Sequence, residues 1–361
     1  LQRLAIASTP QIRIFSARPT RTSAVTFDIA CLRARQQAKQ RNDQRNDQRV
    51  TCTEKMLMAQ LDVNGLQIEY DTFGDDRAEP LLLIMGLATQ MTAWSPEFCN
   101  ALAQHGHYVI RFDNRDIGLS TKFDGARAPG GLQYVMNRVF RTGLVPPYTL
   151  QDMASDAVGV LDALDLASAH IVGASMGGMI AQLVTVGYPQ RVKTLTSIMS
   201  SSGNPRLPSA RPDVVKHIFT SRPASSNPKH VLDYFVRTAK LISSPDYPRS
   251  DAEWRELVTA AHRRSFYPQG FKRHFAAIVA DGSRVRRLKS IKTPTLVIHG
   301  TADRLVPVQG GIDTARHIEG AKLELIDGMG HDLPPQLVEP ITSLIAGHAR
   351  SVAGQPMQSQ P

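Results

Sequence analysis

The chain has 361 residues, with 42 Lys+Arg against 32 Asp+Glu and a formal charge of +10. Hydrophobic residues make up 42% and charged residues 20%, a globular balance in a chain long enough to bury a core without disulfides or a structural metal. The longest apolar run is the eight residues from Leu81 to Ala88, far short of the ~20 that a membrane-crossing helix needs.

Cys31, Cys52 and Cys99 form no CxxC or Cys/His cluster, which argues against structural zinc and a disulfide framework. That usage fits a reducing compartment, and a cytoplasmic location is expected. Residues 1–55 carry +7, lack sustained hydrophobic periodicity and end in the polar tract RQQAKQRNDQRNDQR, so a disordered basic extension is expected there. The segment lacks a charged start followed by an apolar region of about 7–15 residues, so it does not read as a secretory signal. Met56 and Met58 precede the first strand-like segment, and the working chain is expected to start at one of them, with an arginine-rich targeting or interaction tail as the alternative. A flexible tail is expected at 351–361.

From residue 59 onward the pattern alternates strand and helix. Residues 59–63 and 66–73 alternate in polarity around Asn64-Gly65, a two-residue hairpin signal. Leu81 to Met85 is a continuous apolar run suited to a strand buried on both faces. Residues 92–104 read as a helix and 107–112 as a strand. Thr149 and Asp152 open a helix over 150–164 with the spacing of a capping box. A short strand at 170–172 leads to a helix over 176–186. Strands at 192–199, 295–299 and 322–326 and a last helix at 335–347 complete the pattern. This predicts an α/β chain with a mostly parallel sheet covered on both faces. The alternation stops between 204 and 292, where prolines and helix-like segments at 213–220, 229–242, 251–264 and 271–280 predict a helical lid. The core is then split into 56–203 and 293–350.

Gly173-Ala174-Ser175-Met176-Gly177 is a G-x-S-x-G turn between an apolar strand and a helix. A serine hydroxyl is a weak nucleophile and must project from a sharp turn toward its base, with glycines where strand and helix approach. The N–H of Met176, at the helix start, points toward a developing oxyanion. Taken alone, the pentapeptide also reads as a glycine-rich strand–helix turn of no catalytic use. Asp303 follows the strand at 295–299, and His331 follows the strand at 322–326, so both land at the sheet edge of Ser175. His331 is the expected base and Asp303 its orienting acid. His299 lies within a strand and is read as structural, while Asp332 is expected to point away from His331. Gly86 permits a sharp turn after the strand at 81–85, and the Leu87 N–H is the expected second oxyanion donor. Trp94 is a candidate wall of the acyl pocket, with a core position as the alternative.

On these motifs residues 59–347 resemble the α/β-hydrolase fold superfamily, which implies a mostly parallel eight-stranded sheet flanked by helices. Asp113-Asn114-Arg115-Asp116-Ile117-Gly118-Leu119-Ser120 resembles the family's D-x-R-G-x-G-x-S loop, with Asp116 where glycine is usual. Met85-Gly86 stands where His-Gly is usual. The combination of Met-Gly, DNRDxGxS, GASMGGMIAQ and GMGHDLP is most similar to the aclacinomycin methylesterase group. The resemblance implies cofactor-free hydrolysis of a small-molecule carboxylic ester, with methyl esters on bulky aromatic scaffolds among the candidates. Serine at the elbow does not separate esters from thioesters, lactones or carbon–carbon bonds beside a carbonyl. A ligand-binding receptor on the same fold is the non-enzymatic alternative, disfavoured by the complete Ser/Asp/His set.

Residues 204–292 carry +11, so the charge divides into a basic lid, a basic extension and an acidic core. Without a zinc, helix-turn-helix or RRM signature, no nucleic-acid partner is expected. The basic lid instead suggests attraction of anionic substrates or release of acid products.

Overall fold

A computed structural model describes residues 12–15, 59–140, 142–220 and 227–352. The strands are β1 (Ile12–Phe15), β2 (Ala59–Val63), β3 (Leu66–Phe73), β4 (Glu79–Ile84), β5 (His107–Phe112), β6 (Ala169–Ala174), β7 (Val192–Ile198), β8 (Thr295–Gly300) and β9 (Lys322–Ile326). They form one sheet in the order β1-β9-β8-β7-β6-β4-β5-β3-β2. β3 runs antiparallel to both β2 and β5, and the other pairings are parallel. Eight of these strands are the expected ones. β1 is an addition, pairing Ile12 with Leu323 and Phe15 with Ile326 through the backbone. The remainder of the expected disordered extension, and the tail from 353, lie outside the described residues.

Local chemistry accounts for the boundaries. Asn64 and Gly65 both take positive φ, 52° and 78°, the conformation that a tight hairpin requires. The Thr149 hydroxyl accepts the Asp152 N–H at 3.1 Å and the Asp152 carboxylate accepts the Thr149 N–H at 2.7 Å, which completes the capping box. The helix expected over 92–104 begins later, at Pro96, because Ser95 caps it and Pro96 suits the first turn. A short 3₁₀ turn, Met91–Ala93, precedes it. A helix at Gly131–Phe140 was not expected from the sequence.

The core fills the space between the sheet and its flanking helices, with Leu82, Ile84, Ile110, Ile171, Leu195 and Val297 among its buried side chains. Four longer helices, Pro212–Thr220, Pro228–Ile242, Asp251–Arg264 and Pro268–Asp281, and the short Val285–Leu288 are inserted between β7 and β8. Among the described residues no helix is long and apolar enough to cross a membrane.

Candidate active site

Ser175 sits on the turn between β6 and the helix Met176–Gly187, with φ 57° and ψ −119°, a strained backbone for a residue with a side chain. Its N–H donates to the Ile198 carbonyl at 2.9 Å, which ties the turn to β7. A Cβ at Gly173 would meet the Gly177 carbonyl oxygen at 2.1 Å, and one at Gly177 would meet the Ile84 oxygen at 2.0 Å. At these two glycines the backbone packs too closely for any side chain.

β8 and β9 deliver the other two residues to the same edge. His331 Nε2 lies 3.0 Å from Ser175 Oγ, and His331 Nδ1 lies 2.7 Å from Asp303 Oδ2. With Nδ1–H donating to the carboxylate, Nε2 is left to accept the serine proton. The other oxygen of Asp303, Oδ1, accepts the Leu305 and Val306 N–H groups at 2.9 and 2.8 Å. Burial opposes ionisation of Asp303, but the adjacent His331 and the contact with His299 outweigh it and hold the carboxyl well below its usual range. His299 is more than a strand filler: its Nε2–H donates to the Val306 carbonyl at 2.8 Å while lying 3.5 Å from Asp303 Oδ2. Asp332 turns away from His331 and accepts the Ser244 N–H at 2.8 Å.

The turn after β4 packs directly on Ser175. A Cβ at Gly86 would lie 3.1 Å from Ser175 Cβ, so the chain passes against the serine. Ala88 holds a positive φ of 52°. Met176 opens its helix and so has no intrahelical acceptor for its N–H. The Asp113–Ser120 loop braces both ends of this turn: Asn114 donates to the Met85 carbonyl at 2.9 Å, and Asp113 Oδ1 accepts the Met91 N–H at 2.7 Å. These contacts have no local signature in the sequence, because the partners stand more than twenty residues apart.

Of the two readings of Trp94, pocket wall or core, its burial fits the core and not the wall. Its side chain has no accessible surface, its ring packs on Phe98 at 5.1 Å between centroids, and it occupies a core position with no face open to a substrate.

Asp116, which stands where the resembled loop has glycine, ties the helices inserted between β7 and β8 to the core. It takes φ 68°, as the usual glycine would, and its carboxylate receives a two-bond contact from Arg273 of Pro268–Asp281 at 2.6 and 2.9 Å. The Phe123 N–H and the Tyr148 hydroxyl add 2.7 and 2.5 Å bonds. Burial works against the charge on Asp116, yet these donors bring its carboxyl below the ordinary range.

Residues 79–335 match the model of the alpha/beta hydrolase fold. The chain is 32% identical over 300 residues to the rhodomycin D methylesterase DauP of Streptomyces sp. (strain C5), covering 77% of this chain and 93% of that protein. It is 28% identical over 268 residues to a 2-hydroxymuconate semialdehyde hydrolase of Pseudomonas sp. (strain CF600), covering 70% and 80%. The meta-cleavage product hydrolase of Pseudomonas fluorescens IP01 superposes with a TM-score of 0.65 at 19% identity, over 81% of this chain and 97% of that one. The elbow, the sheet order and these matches lead to one assignment: the chain belongs to the α/β-hydrolase fold family and is a hydrolase.

Proposed function

We propose that the protein is a cofactor-independent serine hydrolase that cleaves carboxylic esters, methyl esters on bulky aromatic scaffolds among them, through an acyl-enzyme. The observation that carries the reading is the continuous hydrogen-bond chain Ser175–His331–Asp303, at 3.0 and 2.7 Å. Ser175 Oγ attacks the ester carbonyl as His331 Nε2 takes its proton, and Asp303 steadies the imidazolium. The oxyanion is received by the N–H groups of Leu87 and Met176. Collapse of the adduct expels the alkoxide, which leaves as an alcohol with the proton from His331. Water activated by His331 then attacks the acyl-enzyme and releases the acid. The likeness to methylesterases over nearly their whole length favours an ester as the bond cleaved. The reading extends to a cytoplasmic enzyme acting on a small-molecule substrate.

A second reading, hydrolysis of a carbon–carbon bond in a vinylogous diketone, draws on the 2-hydroxymuconate semialdehyde hydrolases among the relatives. One assay separates the two. Purified protein and Ser175→Ala are offered a panel of aromatic methyl esters and a 2-hydroxy-6-oxodienoate. Release of methanol by the parent and not by Ser175→Ala supports the esterase. Consumption of the dienoate with no ester turnover transfers the assignment to carbon–carbon cleavage.

A further inference from the structure

The lid helix Pro268–Asp281 sends two adjacent side chains into the core, and the second reaches the turn that packs on Ser175. His274 has no accessible surface. Its Nε2 lies 2.8 Å from the Arg115 carbonyl oxygen, and its Nδ1 lies 3.2 Å from the Ala88 backbone nitrogen. A carbonyl can only accept, so Nε2 carries the proton; a neutral ring then leaves Nδ1 free to accept the Ala88 N–H. Burial pushes the imidazole down to about 4, which keeps it neutral and able to accept.

The peptide unit it grips is fixed at both ends. The Ala88 N–H donates to His274, and the Leu87 carbonyl accepts the Thr89 hydroxyl at 3.0 Å. That plane shares the Leu87 α-carbon with the Gly86–Leu87 peptide, whose N–H faces the serine in the proposed mechanism. Ala88 sits at φ 52°, a conformation that a residue with a Cβ keeps only when its surroundings impose it. Lid contacts reinforce the turn on its far side, where Gln90 Nε2 donates to the Ala261 and Ser265 carbonyls at 2.6 and 2.9 Å.

We propose that His274 is a positioning residue for the oxyanion site: by accepting the Ala88 N–H it holds the 86–89 turn so that the Leu87 N–H faces the transition-state oxygen. The proposal rests on the esterase reading and deepens it. It couples the lid to the chemistry, because the group that aims a catalytic donor belongs to a helix inserted between β7 and β8. A histidine kept only to fill the core makes a different prediction, namely that its replacement lowers stability and leaves the turnover of folded protein unchanged.

Two polar substitutions divide the two bonds. In His274→Asn the side-chain oxygen stands near the former Nδ1 and can accept from Ala88. In His274→Gln the amide stands near the former Nε2 and can donate to Arg115, which leaves the Ala88 N–H unpaired. Steady-state turnover of a p-nitrophenyl ester is measured for both, together with inhibition by an alkyl boronic acid, which forms a tetrahedral adduct on serine. Melting temperatures establish that each variant is folded at the assay temperature. The expected result is a kcat lower by roughly 10–100-fold in His274→Gln with KM within about threefold, a parallel loss of boronate affinity, and recovery of most of both in His274→Asn. Parent-like kcat in folded His274→Gln overturns the proposal, as does an equal loss in both variants. Ser175→Ala is the control on the underlying reading: if it still turns over the ester, the esterase assignment fails, whatever the His274 variants do.

Discussion

At the scale of single residues, the site is a set of side chains whose protonation is settled by neighbours rather than by intrinsic chemistry. Asp303 is buried, which alone would favour its neutral form. His331 and His299, which both face Oδ2, reverse that preference. The carboxylate therefore stays charged and holds His331 in the tautomer that can accept from serine. Asparagine at 303 keeps the shape but can present an N–H where an acceptor is needed, which turns the imidazole into the wrong tautomer. Asp303→Asn should lower kcat by about four orders of magnitude with KM changed little. Burst kinetics on an activated ester should place the loss in acylation. A decrease of less than tenfold would mean that Asp303 does not orient the base. That Ser175, Asp303 and His331 would meet was legible in the sequence, because each follows an apolar strand that must end at the same sheet edge. His299 was read as structural, since its place inside a strand does not tell that its ring lies 3.5 Å from the acid four residues on.

At the scale of elements, strands were the most legible parts and the joints between lid and core the least. A buried parallel strand announces itself as a run of apolar residues, as in Leu81 to Met85, and Asn64-Gly65 marks the hairpin of β2 and β3. The helix Gly131–Phe140 escaped because Pro129-Gly130-Gly131 reads as a break, and its apolar residues Leu132, Val135, Val139 and Phe140 remain exposed rather than forming a buried face. The pairing of Arg273 with Asp116 spans 157 residues and has no local signature. Its energetics follow from burial. The side chains of Asp116 and Arg273 retain 0% and 5% of their accessible surface, so removing either partner strands a charge in the core. Arg273→Met should destabilise the fold by about 3–5 kcal/mol. Asp116→Gly restores the family's usual residue at a positive φ but strands Arg273 in turn. The double variant Asp116→Gly/Arg273→Met should therefore lose less than the two single losses added together. Urea unfolding of the four proteins measures the coupling; strict additivity would show that the pair contributes no mutual stabilisation.

At the scale of the molecule, the segregation of charge has an internal use that the sequence alone did not suggest. Arg264 and Arg273 of the inserted helices meet core carboxylates Asp113 and Asp116, so part of the insertion's positive charge is neutralised by the acidic core it packs against. The sheet edge opposite the active site carries a different electrostatic feature. His107 and His170 open β5 and β6 with their rings edge to face at 5.5 Å, and His348 of Val338–Arg350 is buried as well. Burial pushes His170 and His348 down to about 4, as it does His274. The sign of the linkage is then fixed. Between the ordinary histidine range and pH 4 the unfolded chain binds protons that the native state refuses, so stability falls as pH falls. Each of these histidines should cost on the order of 2 kcal/mol at pH 5 relative to neutral pH. Asp303 and Asp116 act in the same direction but lower, since their depressed values supply stability that is lost only as pH drops below the ordinary carboxylate range. Acid unfolding should thus begin well above pH 4, driven first by histidines. Urea midpoints measured at pH 7.5, 6 and 5 in constant salt should decline steadily. In His348→Gln, whose amide can still donate to the Pro294 carbonyl, the decline should be shallower by about the share of one histidine. A midpoint that stays level from pH 7.5 to 5 would show that the buried rings do not govern the acid stability of this hydrolase.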